Sequence, residues 1–170
     1  MEQPPAPFPV ADGRDHPLDP GWLSVARLSA SFGALLLAFM TLPIAVAMLW
    51  NRAFPWPFVV LGWGGLVTLL AVRAWWWPAV RYRHMSYRVD GWGVRIRRGV
   101  FWRSVASVPK ARVQHTDVSR GPLQRRFGIA TLVIHTAGTQ YAAIPLPGLT
   151  HATALAIRDH LIDGEGEDAV

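Results

Sequence analysis

The chain contains no cysteine. A disulfide framework, a thiolate-held metal and a thiol nucleophile are therefore excluded, while the redox compartment stays undecided. Charge is scarce as well: 16% of the 170 residues are Asp, Glu, Lys or Arg, against 51% hydrophobic, and mean hydropathy is positive. That balance points to a membrane protein before a soluble globule. Acids are missing where bases are densest. Arg73 to Arg126 holds thirteen Arg/Lys and only Asp90 and Asp117, a net of +11, whereas the residues after Leu161 are acidic: Asp163, Glu165, Glu167 and Asp168. So basic a segment faces nucleic acid or an anionic lipid surface, and a membrane tether would decide between them.

Two stretches lack charge altogether, Leu28 to Trp50 and Ala53 to Val72. Each exceeds the roughly 18 apolar residues that mark a spanning helix. In the second, nine Phe, Val and Leu side chains contribute about 3 to 5 kcal/mol toward insertion. Trp50 and Trp56 at one face, with Trp75, Trp76, Trp77 and Tyr82 at the other, have the placement of interfacial aromatic belts. "NRAFPWP" is a short re-entry turn. The sequence thus predicts a transmembrane hairpin over 22–77, with helices at about 28–50 and 55–74 and Pro43 kinking the first. Only Arg52 lies in the connecting turn, while Arg14 and Arg27 precede the first span and Arg73, Arg81, Arg83 and Arg88 follow the second. By the positive-inside rule the protein is a two-pass plasma-membrane protein with both termini cytoplasmic.

The Pro-rich, mildly acidic leader is unlike the basic start of a cleavable signal and reads as a disordered cytoplasmic tail over 1–21. Residues 164–170 read as a disordered acidic tail. Small residues recur at Ala26, Ala30, Ala34 and Ala38, and at Gly62, Gly64, Gly65 and Thr68. Such faces let helices approach closely, within the hairpin by preference or against a partner helix, so a homo-oligomer stays open. No ionisable residue lies inside either span, which argues against a proton or ion pathway in this chain alone.

Beyond Pro78 the apolar period becomes alternating. Tyr87 and Val89 share one face; Val94 and Ile96 point inward with Arg95 and Arg97 outward, and Asp90-Gly91 is a turn between the two strands. "RSVASVP" and "RVQHTDVS" are shorter strands; opposite parity of Val113 and Val118 predicts a bulge in the latter. "IATLVIHT" should be the most buried strand, and Ala137-Gly138 turns it toward "QYAAIP". A closing helix follows an N-cap at Thr150, with Ala154, Ile157 and Leu161 on one face, flanked by Leu155 and Ile162. About six strands and this helix, over 79–163, make a bent antiparallel sheet or partly open barrel.

The stretches "YRVDGWGVRIRRGVFWR", "VPKARVQHTDVSRGPLQRRFGIATLVIHTAG" and "PLPG" resemble the bacterial PH-domain family of the YdbS-like type (bacterial pleckstrin-homology domain type 2). The resemblance spans about residues 20–162. It implies a membrane hairpin followed by a mainly-β PH-like domain with a C-terminal helix. It implies no catalytic residue, and it implies a larger membrane partner with repeated domains of the same type.

The charged stretch 109–128 admits several readings. His115 and Asp117 lie two apart on one strand face, with His135 as a third possible ligand, so a metal site is conceivable, and with it a membrane-bound metal-dependent hydrolase. A base His115 oriented by Asp117 would need a nucleophile that the sequence does not place, although Ser104, Ser107 and Ser119 are near. The favoured reading is structural: these groups bond turns and strand ends around the bend. His84, His151 and His160 read as solvent-facing, and His16 falls in the leader. "SRGPLQRRFG" reads as a loop with one helical turn, Leu123 and Phe127 tucked against the sheet and Arg120, Arg125 and Arg126 outward.

The reading is a non-catalytic integral membrane protein presenting an interaction module at the cytoplasmic face, without cofactor, metal or nucleic acid. Its interface anchors are Trp50, Trp56, Trp75, Trp76, Trp77, Arg73, Arg81 and Arg83. Arg120, Arg125 and Arg126 are the residues expected to contact anionic lipid or a protein partner. An accessory subunit of an exporter or envelope-stress complex is the alternative.

Overall fold

A computed structural model describes residues 10–52, 55–137 and 143–162. Two compact units emerge: Ala26–Val80, and a head assembled from the described residues on both sides of that segment.

Two helices provide the first unit, and both are longer than the apolar pattern suggested. Helix α1 runs Pro20–Trp50 and α2 runs Trp56–Arg83. The early start of α1 has a local cause. The Asp19 carboxylate accepts the Gly21 backbone N–H at 2.7 Å, and Pro20 occupies the first helical position, where no donor is needed. The late end of α2 runs through Pro78: the ring removes one backbone donor, but the turns on either side keep theirs. Arg81 and Arg83 then complement the carbonyl end of the helix. Most of the large apolar side chains point outward, Phe32, Leu35, Phe39, Leu61 and Leu69 among them. Such a continuous apolar exterior is stable in lipid and not in water. Both helices are long and apolar enough to cross a membrane.

Between the spans, Trp63 Nε1 donates to Thr41 Oγ1 at 3.3 Å. Small residues leave space on the facing sides: Ala30 and Ala34 share a hollow of about 410 Å³ with Leu70 and Ala74. A second hollow of about 370 Å³ lies between Thr41, Ala45 and Gly62, Trp63. The Arg27 guanidinium stacks over the Trp75 ring, 4.4 Å from its centroid, and Nε donates to the Trp75 carbonyl at 3.3 Å.

Two antiparallel sheets make the head. One has the order β1 (Asp15–Pro17), β2 (Ser86–Asp90), β3 (Gly93–Arg98), β4 (Ser104–Pro109); the other has β5 (Val113–Ser119), β6 (Ile129–Thr136), β7 (Ala143–Thr150). A 3-10 turn at Lys110–Arg112 joins them, α3 (Pro122–Arg126) connects β5 to β6, and α4 (His151–Ile162) closes the domain. The core includes the alternating Tyr87, Val89, Val94 and Ile96, Leu132 and Ile134 of β6, and the α4 stripe Ala154, Ile157, Leu161, all buried. Thr150 Oγ1 accepts the Thr153 N–H at 3.1 Å, the expected N-cap bond. The register shift between Val113 and His115 is the expected bulge. It reconciles the parity of Val113 and Val118, both of which pack against the core.

Several expectations need correction. From residue 10 on, the leader is not a free tail: Asp15, His16 and Pro17 pair with Arg88, Tyr87 and Ser86, and Leu18 is buried; residues 1–9 lie outside the described residues. Its Pro-rich composition hid a strand that borrows its partner from beyond the hairpin. His16 accordingly bonds Asp12 at 3.0 Å and packs on the Tyr87 ring at 5.7 Å. His160 does not face solvent freely, since its Nε2 meets the Asp90 carbonyl at 3.2 Å and Lys110 Nζ lies 3.4 Å from its Nδ1. Leu123 and Phe127 are more exposed than a tucked pair would be. The Gly138 turn and the 164–170 tail lie outside the described residues.

Candidate functional site

Strand direction sorts the head's loops into two ends. Ser86, where the chain leaves α2, pairs with Arg97 and with Pro17. The end of β3 and start of β4 therefore lie at that same end, since Arg98 pairs with Ser104. From Leu18 the chain turns into α1 under β7: the Asp19 N–H donates to the Gly148 carbonyl at 2.7 Å, and Tyr82 Oη donates to the Leu18 carbonyl at 2.8 Å. Gly21 lies so close to the second sheet that a Cβ there would sit 2.9 Å from Ile129 Cγ2 and 3.0 Å from the Phe127 carbonyl. Thus the β3–β4 loop (99–103), the α3 connection (120–128) and the head residues 18–21 and 82–86 share one end.

That end carries Arg81, Arg83, Arg97, Arg98, Arg103, Arg120, Arg125 and Arg126. A hollow of about 340 Å³ is lined by Arg83, Ser86, Arg97, Arg98, Arg103 and Ser104. Asp15 neutralises part of this charge, its carboxylate meeting Arg88 Nε at 3.0 Å and Arg97 Nη1 at 3.1 Å. The Arg88 hydrogen bond is the main reason Asp15 is held below the usual carboxylate range. Among the described residues, Arg83, Arg98 and Arg103 have no carboxylate partner. Beside the hollow, Gly99 has φ +121°, and a Cβ there would collide with the Trp102 carbonyl; the bend requires glycine. It projects Phe101 and Trp102 into solvent, 81% and 91% exposed. Guanidinium groups that donate to phosphate oxygens, next to solvent-exposed aromatic rings, suit a lipid headgroup layer.

The expected contact residues divide. Arg125 and Arg126 are exposed on α3. Arg120 does not point outward as expected: it is half-buried and its Nε lies in the interior. It acts instead on His151, whose imidazole is held below its ordinary value by burial first and by Arg120 and Arg158 second. Trp50, Trp56, Trp75 and Trp76 present most of their surface outward, Trp77 less so. Phe101, Trp102, Arg98 and Arg103 are not among the expected contact residues, although "RRGVFWR" carries a signal: two adjacent aromatics between arginines, directly after an alternating strand.

His115, Asp117 and His135 do come together, on the face of β5 and β6 turned away from the core. His115 and His135 are cross-strand partners, with rings stacked 4.1 Å apart and 10° from parallel. Asp117 Oδ2 lies 3.3 Å from His135 Nε2 and 3.9 Å from His115 Nε2.

Comparison with known proteins agrees with this architecture. The family profile described as the bacterial PH domain matches residues 22–164. A protein of Bacillus subtilis (strain 168), named UPF0699 transmembrane protein YdbS, is 37% identical over 120 residues, 69% of this chain and 73% of its own length. No solved structure matches significantly.

Proposed function

The chain belongs to the bacterial PH domain family of transmembrane proteins, and on that premise we propose that its head is a non-catalytic module that docks on anionic lipid headgroups beside its own membrane anchor. The observation that carries this reading is the gathering of eight arginines and the exposed Phe101–Trp102 tip at the end where the chain enters and leaves the spans. Each basic side chain near an anionic leaflet contributes about 1 kcal/mol. With attachment already provided by the hairpin, these charges set the tilt and height of the head. The arginine asymmetry across the spans supports the cytoplasmic leaflet, and so a cytoplasmic position for both termini.

The absence of cysteine makes the test direct. Phe101→Cys carries a single environment-sensitive dye on the full-length protein, reconstituted in phosphatidylglycerol-rich or pure phosphatidylcholine vesicles. Emission should shift to the blue only in the anionic vesicles, and the shift should shrink with added salt or with Arg98→Gln and Arg103→Gln together. Identical, water-like emission in both lipids would remove the proposal.

A second reading, docking of a larger membrane protein of the same family, is favoured by one feature. The outer edge of β4 borders a hollow of about 840 Å³ reaching Thr136 and Ala143–Pro145, an open seam between the sheets that a partner strand could pair with. Cross-linking from Ser107→Cys in native membranes separates this from lipid contact.

A further inference from the structure

We propose that His115, Asp117 and His135 form a binding site for a divalent transition metal of the zinc class. Strand register brings the three side chains together. β5 places His115 and Asp117 two residues apart and hence on one face, and β6 sets His135 directly opposite His115. The ligand atoms of all three lie within 4.8 Å of one another. Two donors bound to one zinc at ordinary bond lengths of about 2.1 Å stand roughly 3.4 Å apart in tetrahedral geometry. The Asp117 to His135 and His115 spacings of 3.3 and 3.9 Å bracket that value, so small side-chain rotations complete the set without moving the backbone.

Chemistry selects the metal. Two imidazoles and one carboxylate suit zinc, cobalt or nickel and not the all-oxygen shells of calcium or magnesium. Stacked, nearly parallel imidazoles directly beside a carboxylate are poorly explained as packing, because His115 and Asp117 are largely exposed and bury little apolar surface. Three ligands on an open sheet face leave the fourth position to water or to a donor from another molecule. The site lies toward the start of β5 and the end of β6, on residues that the lipid-docking proposal does not use. A bound ion would cross-link β5 to β6 next to the bulge.

The test uses the full-length protein in detergent, purified without a histidine tag and stripped with a chelator. Zinc titration should give one ion per chain with micromolar or tighter affinity, and cobalt should produce the visible absorption of a four-coordinate His/carboxylate site. His135→Ala and Asp117→Asn should each weaken binding by at least the roughly tenfold that loss of a supporting group costs a metal site; His84→Ala should leave it unchanged. Should His135→Ala fail to fold, the exposed His115→Ala carries the same expectation. Absence of stoichiometric uptake, or uptake that survives the His115→Ala variant undiminished, overturns the assignment.

Discussion

Tyr87 occupies the middle of the first sheet with almost no surface exposed. Desolvation first, and the nearby Asp12 and Asp19 carboxylates second, push its phenol up to about 12. In the unfolded chain the same group ionises near 10. The folded value is the higher one, so its contribution is complete below pH 10 and is lost as pH rises toward 12. Denaturant midpoints should therefore fall between about pH 10 and about 12, the window set by those two values, and Tyr87→Phe should flatten that fall. An equal decline in the variant would show that other groups cause it. Residues of this kind were partly legible beforehand, because alternation alone placed Tyr87 and Val89 on one face. Phe101 and Trp102 were not. A hydrophobic side chain at a loop tip obeys no period, and only the geometry of the Gly99 bend reveals that it points outward. His115 and Asp117 were visible as a pair with His135 as a third ligand, but that His135 stands opposite His115 follows only from strand register.

Among the elements, β1 departs most from expectation. Three residues are too few for periodicity to register, and the strand's partner is synthesised only after the hairpin. Its importance is nonetheless measurable. Leu18, 2% exposed, should cost roughly 2–5 kcal/mol on substitution by alanine, lowering the thermal midpoint of the full-length protein. The exposed Val105→Ala should be nearly silent. A Leu18→Ala protein as stable as the wild type would return the leader to the status of a loose tail. The remaining strands and α4 were readable because each keeps one apolar face. The extensions of α1 and α2 were missed because both helices continue beyond the uncharged residues used to find them, where Asp19, Pro20 and Arg81 serve as termini and not as interruptions.

At the scale of the whole molecule, pairing of Asp15 with Arg88 requires that the segments before and after the two spans lie on one side of the bilayer. Single cysteines at Ala11, Asn51 and Ser107 in the cysteine-free background test this with an impermeant maleimide. Ala11→Cys and Ser107→Cys should react from the same side and Asn51→Cys from the other. Opposite accessibility of Ala11→Cys and Ser107→Cys would rule out the split head.

The same pairing has a consequence for biosynthesis. Residue 15 leaves the ribosome 73 positions ahead of residue 88, a delay of roughly 4 to 15 seconds at ordinary elongation rates. During that interval β1 has no neighbour to join. The helical hairpin, by bringing its two flanks together, replaces a long, entropically costly chain closure with a short one. The hairpin thus acts as an assembly jig for a domain built from the chain on both sides of it.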